Sequence, residues 1–346
     1  MPMQFFKWLY PGIGIKRWIS LCLVGLGLVV VVAMTAIRTI SKSSVLLAAL
    51  ATATLIFGIF LVYTAIKNMV RIFIRSLMPP HRDDPLVDLV YQRRQNESLS
   101  RGPRVVAIGG GTGLSTLLFG IKLYTSNITA IVTVTDTGGS SGRLRDEMDI
   151  LPPGDIRNCL VALANASPLI RDLFQYRFDM GNGLKGHSFG NLFITALSKV
   201  TGDFEKAVAE SSKVLAIRGR VIPSTLEKVT LEGEFIDGTT VEGETNITEV
   251  QKPLRNIRLK PDDCHACVEA LDAIENAELI ILGPGSLYTS ILPNLLIRDI
   301  LDAILKSDAY KVYIINVMTQ PGETDHYDAW DHLRVLIEHT DPRVVD

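Results

Sequence analysis

The chain has 346 residues, with 35 Lys and Arg against 37 Asp and Glu, for a formal net charge of −2. So balanced a charge argues against a general nucleic-acid binder, which carries a basic excess. Four cysteines, Cys22, Cys159, Cys264 and Cys267, do not make a disulfide framework in a chain this long and suggest a reducing compartment.

Mean hydropathy is +0.25, high for a soluble protein, and the N-terminus carries the excess. Trp18 to Ile37 holds no charge over about the length a helix needs to cross a bilayer. Val45 to Ile66 is a second such span, with Tyr63 as an interfacial anchor. Lys7, Lys16 and Arg17 precede the first span, and Lys67, Arg71, Arg75 and Arg82 follow the second. Only Arg38 and Lys42 lie between them, so both ends are expected on the cytoplasmic side. Residues 1–80 thus read as a membrane anchor with two transmembrane helices, about 18–37 and 45–66. Lys67, Arg71 and Arg75 recur every four residues, as on a helix continuing out against anionic headgroups until Pro79-Pro80 stops it. Residues 81–103 read as a polar linker.

Arg104 opens the soluble part. Val105 to Ile108 is a short apolar run leading into Gly109-Gly110-Gly111-Thr112-Gly113. A helix-length apolar segment follows to Tyr124, then a β-branched run from Ile128 to Thr135 that ends at Asp136. That order is strand, glycine turn, helix, strand, acid, the first half of a nucleotide-binding βαβ unit. Glycine lets backbone approach a ligand, and the N–H groups and dipole of the following helix favour an anion. Asp136 stands where such folds place a carboxylate for ribose hydroxyls. Neither GxGxxG nor the P-loop pattern is fully matched. A second donor-rich turn, Thr137 to Arg145, adds Gly139, Ser140 and Arg143, the arginine suited to phosphate.

Leu151 to Asn158 reads as a turn and a helix start through Ala164, with Asp155 as its cap and Arg157 and Asn158 near a ligand. Leu173 to Met180 is amphipathic and could cover a pocket. Gly181 to Asn191 packs four glycines around His187 and Asn191 before a helix at Leu192 to Lys199. Val214 to Leu259 alternates, with Asp237-Gly238 as a hairpin turn, and reads as an inserted antiparallel meander. Cys264 and Cys267 form a lone CxxC without a second ligand pair, read as incidental. Leu279 to Leu282 and Val312 to Val317 are two further strands. The first ends in Gly283-Pro284-Gly285-Ser286 and the second in Asn316 and its successors.

The motifs GGGTG, VTDTGGSSGRLRDEMDILPPGDIRN, GHSFGNL, GPGSLYTSILPN and NVMTQPGETD resemble the CofD-like superfamily, most of all its YvcK-type gluconeogenesis-factor branch. The likeness runs from Arg104 to Asp346, where that family's domain usually continues further. It implies a Rossmann-like three-layer α/β/α fold with a mostly parallel sheet and a small antiparallel insertion over residues 104–346. It implies, for this branch, a UDP-sugar ligand such as UDP-N-acetylglucosamine and a role in cell shape and wall-precursor control during gluconeogenic growth. The alternative is a CofD-type transferase that moves a phospholactyl group from a guanosine diphosphate donor to a deazaflavin acceptor, with Asp136 catalytic and holding magnesium. Expected ligand-binding residues are Gly110, Gly111, Thr112, Gly113, Asp136, Gly139, Ser140, Arg143, Asn158, His187, Asn191, Gly285, Ser286 and Asn316. Expected partners are a nucleotide sugar and, through the N-terminal helices, a lipid bilayer. Nucleic acid is not expected, and homo-oligomer formation is left open.

Overall fold

The structure, a computed structural model, describes residues 15–38, 45–77 and 97–346. The expected interhelical loop at 39–44, the Pro79-Pro80 stop and the linker as far as residue 96 lie outside the described residues. The chain divides into two compact units, Met1–Leu89 and Val90–Asp346.

In the first unit α1 (Ile15–Arg38) and α2 (Val45–Leu77) pack against each other. Two glycines face each other across the contact. A Cβ on Gly25 would stand 2.9 Å from the Gly58 carbonyl oxygen, and one on Gly58 would stand 3.1 Å from that of Gly25. Small residues of this kind let helix backbones touch where lipid, not water, surrounds them. Leu23, Val31, Met34, Ile56, Phe57 and Phe60 are exposed. Of the apolar stretches Arg17–Met34 and Ala49–Arg71, only 6% and 11% is buried, and both helices are long and apolar enough to cross a membrane. The second continues past the apolar span that ends at Ile66 and runs to Leu77, as the spacing of Lys67, Arg71 and Arg75 predicts.

The second unit is α/β. Its chain order begins β1 (Val105–Gly109), α3 (Gly111–Ile121), β2 (Ile128–Val132), α4 (Gly139–Met148), α5 (Gly154–Leu163), α6 (Pro168–Gln175), α7 (Phe189–Thr201) and α8 (Phe204–Val214). It continues with β3 (Arg220–Pro223), β4 (Thr230–Phe235), β5 (Thr240–Glu242), α9 (Glu244–Val250), β6 (Leu254–Lys260), α10 (Val268–Glu275) and β7 (Leu279–Leu282). A π-helical turn (Leu287–Ile291), α11 (Leu292–Leu295), α12 (Arg298–Lys306), β8 (Tyr310–Tyr313) and α13 (Ala329–His339) follow.

β1 and β2 are buried at every position, as short apolar runs must be when helices cover both faces of a parallel sheet. Val105 pairs with Ile128 on one side and with Leu279 on the other. The five parallel strands stand in the order β3-β2-β1-β7-β8. The chain steps outward from β1 to β3, then returns to the other flank of β1 for β7 and β8. That reversal opens a crevice at the carboxyl ends of β1 and β7.

The inserted meander is present as a three-stranded antiparallel sheet, β5-β4-β6, with α9 between β5 and β6. Gly238, at φ +82°, makes the turn between β4 and β5. Three expected boundaries move. α7 begins at Phe189, not Leu192, because the Ser188 side chain accepts the Asn191 N–H at 3.2 Å. The amphipathic stretch 173–180 is not one helix: α6 stops at Gln175, and Arg177 then pairs across to Ser188. β8 covers residues 310–313 only, which leaves Asn316 in a loop.

Lys122 fastens the helical layer. Its Nζ donates to the Ala162 and Ala164 carbonyls at 2.7 and 3.0 Å, where α5 ends and its last carbonyls need donors. Burial, and then Arg171 and Arg218, hold this lysine below its ordinary pKa.

The closest approach within the crevice is at Gly113, where a Cβ would stand 2.6 Å from the Pro284 carbonyl oxygen. Gly113→Ala in Val90–Asp346 is expected to cost ~1–3 kcal/mol through overpacking, read as a lower urea midpoint. An unchanged midpoint would show that α3 and the turn after β7 are not in contact.

Candidate functional site

The turn after β1 is built from Gly110 and Gly111, the latter at φ +64°, where a side chain would be strained. It touches its neighbours on both sides. A Cβ on Gly110 would stand 2.7 Å from Thr133 Cγ2 and 2.8 Å from Asp155 Oδ2, so the ends of β1 and β2 and the start of α5 meet there. On the other side, one on Gly285 would lie 3.3 Å from the Gly110 carbonyl oxygen. The Gly285 N–H donates to Asn316 Oδ1 at 3.1 Å, and Gln320 Nε2 donates to Ser286 Oγ at 2.6 Å. Gly110, Gly111, Gly113, Gly285, Ser286 and Asn316 therefore form one rim across β1, β7 and β8. Thr112 is exposed at the start of α3.

At the end of β2, Asp136 Oδ1 accepts the Gly138 N–H at 2.8 Å and turns the chain into α4, which opens at Gly139. A Cβ on Gly154 would stand 3.0 Å from Asp136 Oδ2, so α5 starts beside this carboxylate. Ser140, in the first turn of α4, is the centre of a buried triad. Asn191 Nδ2 donates to Ser140 Oγ at 3.1 Å, and Ser140 Oγ lies 2.9 Å from His187 Nδ1. Ser140 Oγ and His187 Nδ1 share one hydrogen, and the imidazole tautomer sets which of them donates. Burial first, then Arg143, lowers the His187 pKa, so the ring is neutral at physiological pH. Asn191 Oδ1 is buried without a partner.

Cations gather beside this triad. Arg143 Nη2 donates to the Lys185 carbonyl at 2.9 Å, and Arg177 donates to that of Gly186. Arg157 is buried, donates through Nη2 to Asn158 Oδ1 at 2.6 Å, and keeps an unpartnered Nε. Burial, followed by the neighbouring Arg177, pulls its pKa down. Among the described residues none of these three guanidiniums forms an ion pair with a carboxylate. The Asn158 side chain bonds both Arg157 and Asp155, and the residue also lines a cleft with Ser115, Phe119 and Arg171.

Carboxyls gather at the same turns. The expected capping role of Asp155 is not seen: it makes no side-chain cap to α5 and instead accepts the Gly111 N–H. Burial raises its pKa to about 6. Glu244, the first residue of α9, reaches in from the antiparallel insertion and shares a hydrogen bond with Asp136. Burial, then the charges of Asp136 and Asp155, raise Glu244 to about 8. Glu323 is buried, accepts from Thr289 Oγ1 at 3.1 Å, and has an unpartnered Oε2. Burial raises it to about 7. The sequence reading missed Glu244 and Glu323, although Glu323 stands inside the NVMTQPGETD motif. Asp146, in α4, is exposed on that helix. Among the described residues no group of three His, Cys, Asp or Glu side chains is arranged to hold a metal ion.

A cavity of about 740 Å³ opens elsewhere, at the amino ends of the strands, lined by Val105, Ile128, Arg220 and Glu278. Arg104 there already binds Glu278 and the Asn276 carbonyl. The site is therefore placed by its convergent amides and unpaired charges rather than by cavity size.

These carboxyls fix a pH dependence. Asp155, Glu323 and Glu244 have folded-state pKa values raised to about 6, 7 and 8, above the ordinary carboxylate range. The folded state then holds protons that the unfolded state has released. The stability they contribute is full at acid pH and is lost as pH rises through those values. Urea unfolding of Val90–Asp346 is expected to show stability falling between pH 5 and pH 8.5, by up to about 8 kcal/mol with all three carboxyls contributing. Glu244→Gln should flatten much of that slope. Stability that climbs over the same range would contradict the buried arrangement.

The CofD family, described as 2-phospho-L-lactate transferase CofD, matches residues 105–346. A gluconeogenesis factor of Bacillus subtilis is 54% identical over 241 residues, 70% of this chain and 76% of its own. A Nostoc relative is 48% identical over 347 residues, 96% of this chain and 75% of its own, so the likeness there extends into the N-terminal helices. The crystal structure of a Bacillus halodurans protein superposes with a TM-score of 0.69 at 53% identity, covering 71% of this chain and 79% of that one. With its parallel sheet and its five ordered motifs, the chain belongs to the CofD family, in the branch of the gluconeogenesis factors.

Proposed function

We propose that this protein is a membrane-tethered regulator that binds a UDP-sugar of the UDP-N-acetylglucosamine kind and acts on cell shape and cell-wall precursor metabolism during gluconeogenic growth. The carrying observation is the convergence of donors and carboxyls on one rim. The donors are the glycine turns, the first turns of α3 and α4, and the unpaired guanidiniums of Arg143, Arg157 and Arg177. They suit a diphosphate. The carboxyls are Asp136, Asp155, Glu244 and Glu323, suited to hydrogen bonds with ribose or hexose hydroxyls. A nucleotide sugar carries both chemistries in one molecule. Asn191 Oδ1, buried and unpartnered beside Ser140, supplies a further acceptor.

The tether rests on the first unit. Its two helices expose apolar side chains along their length, an arrangement that costs little only where hydrocarbon replaces water. The basic flanks favour a cytoplasmic site of action.

A second reading, a CofD-type transferase acting on a guanosine diphosphate donor, is favoured by one observation. Asp155 and Glu244 have pKa values brought close to neutrality, as general acids and bases require. Asp136, hydrogen-bonded to Glu244, would then orient the reacting groups.

Calorimetry separates the two. Val90–Asp346 is expected to bind UDP-N-acetylglucosamine with micromolar affinity, and Arg143→Ala to weaken it about 10-fold, the value of one charge-assisted hydrogen bond. Folded protein that gives no heat with any UDP-sugar would end the first reading. Release of GMP on mixing donor and acceptor, abolished by Asp136→Ala, would establish the second.

A further inference from the structure

The N-terminal unit carries a charge pattern that spanning a membrane does not require. Through residue 82 the chain has nine Lys and Arg, at 7, 16, 17, 38, 42, 67, 71, 75 and 82, and no Asp or Glu; the first acid is Asp83. None of these cations has an acidic partner within its own stretch of sequence. The Gly25–Gly58 contact sets the register of the hairpin. Arg17 lies eight residues before Gly25, and Lys67 nine residues after Gly58. In antiparallel helices those positions stand at one level, so Arg17 and Lys67 mark the same end of the hairpin. Both are exposed, as is Arg71 one turn further on.

α2 is also too long for its task. Its 33 residues span about 50 Å, against about 30 Å of hydrocarbon. Val45 to Ile66 accounts for the hydrocarbon alone. Residues 67–77 add about 16 Å, through the headgroup layer and beyond it. Along this extension the cations at 67, 71 and 75 fall within roughly a quarter of the helix circumference. Met69, Val70, Ile72, Phe73, Ile74 and Leu77 take up most of the remainder, with Asn68 and Ser76.

We propose that the basic end of this hairpin, Arg17 with Lys67, Arg71 and Arg75, is a binding collar for anionic phospholipid headgroups, selecting them over zwitterionic ones. The occupant is the phosphodiester of an anionic lipid in the leaflet the hairpin itself spans. The argument for it is charge complementarity at headgroup depth, with no acid in the segment to compete. A zwitterionic headgroup carries its own cation and satisfies the phosphate without the protein. The collar rests on the membrane reading given above.

The test uses the full chain in nanodiscs of equal phosphatidylglycerol and phosphatidylcholine, with the lipids retained after brief detergent release counted by native mass spectrometry. Retained lipid is expected to be enriched in phosphatidylglycerol. The enrichment should fall roughly five-fold or more when Lys67, Arg71 and Arg75 are all replaced by Gln. The version with Arg71→Lys and Arg75→Lys keeps the charge and should keep the enrichment. Equal retention of the two lipids by the native chain overturns the collar, as does enrichment that survives the triple Gln replacement. If the replacement changes the oligomeric state and leaves the lipid ratio alone, the surface is an interface between copies and the collar falls. Carbonate extraction of the native chain from membranes is the control: a chain that washes off refutes the membrane reading itself, whereas a chain that stays while its lipids show no preference refutes the collar alone.

Discussion

The backbone-to-backbone contact between the first turn of α3 and the turn after β7 is the constraint on which the rest of the site depends. Gly113 admits the Pro284 carbonyl at a distance no side chain tolerates. The contact is possible because strand order reverses at β1, leaving β7 as the neighbour on its far side. Once the two turns are in register, Asn316 can accept the Gly285 N–H and Asn294 can reach the Gly109 carbonyl at 3.3 Å. The amides of several separate segments then share one rim.

Donors and carboxyls meet on that rim. The α4–α7 segments carry arginines bonded only to carbonyls or an amide, and a neutral histidine. The α9 and Glu323 segments carry carboxyls that burial pushes toward their protonated forms. Both sets are strained in the free protein: like charges crowd, and buried polar atoms such as Asn191 Oδ1 and Glu323 Oε2 lack partners. Unpaired buried groups of this kind carry a desolvation cost that a ligand relieves. The antiparallel insertion belongs to the site, because its helix α9 supplies Glu244 and its Thr245 N–H donates to Thr137 Oγ1 at 3.2 Å.

Much of this was legible in the sequence. β1, β2 and β7 showed as short apolar runs, each closed by glycine or by Asp136, because a strand buried on both faces leaves no polar position. The two apolar helices showed by length alone, and the meander by alternation around Asp237-Gly238. Side chains brought in from distant sequence did not show. Glu244 follows Gly243 in a segment that reads as a solvated hairpin, and only the fold of the insertion turns it toward Asp136. His187 had no visible orienting partner, since Ser140 lies 47 residues away. Asp155 looked like a helix cap because it sits in the first turn of α5, yet its carboxylate is taken by the Gly111 N–H. The extension of α2 also showed: hydropathy stops at Ile66, but Lys67, Arg71 and Arg75 recur at helical spacing and nothing before Leu77 breaks a helix.

The most direct test of the convergent rim is amide hydrogen exchange of Val90–Asp346 with and without saturating UDP-N-acetylglucosamine. Amides at Gly110–Gly113, Gly138–Ser141 and Gly285–Ser286 should slow together on ligand addition. Slowing of one stretch alone, or of none, would contradict a single site shared by those turns.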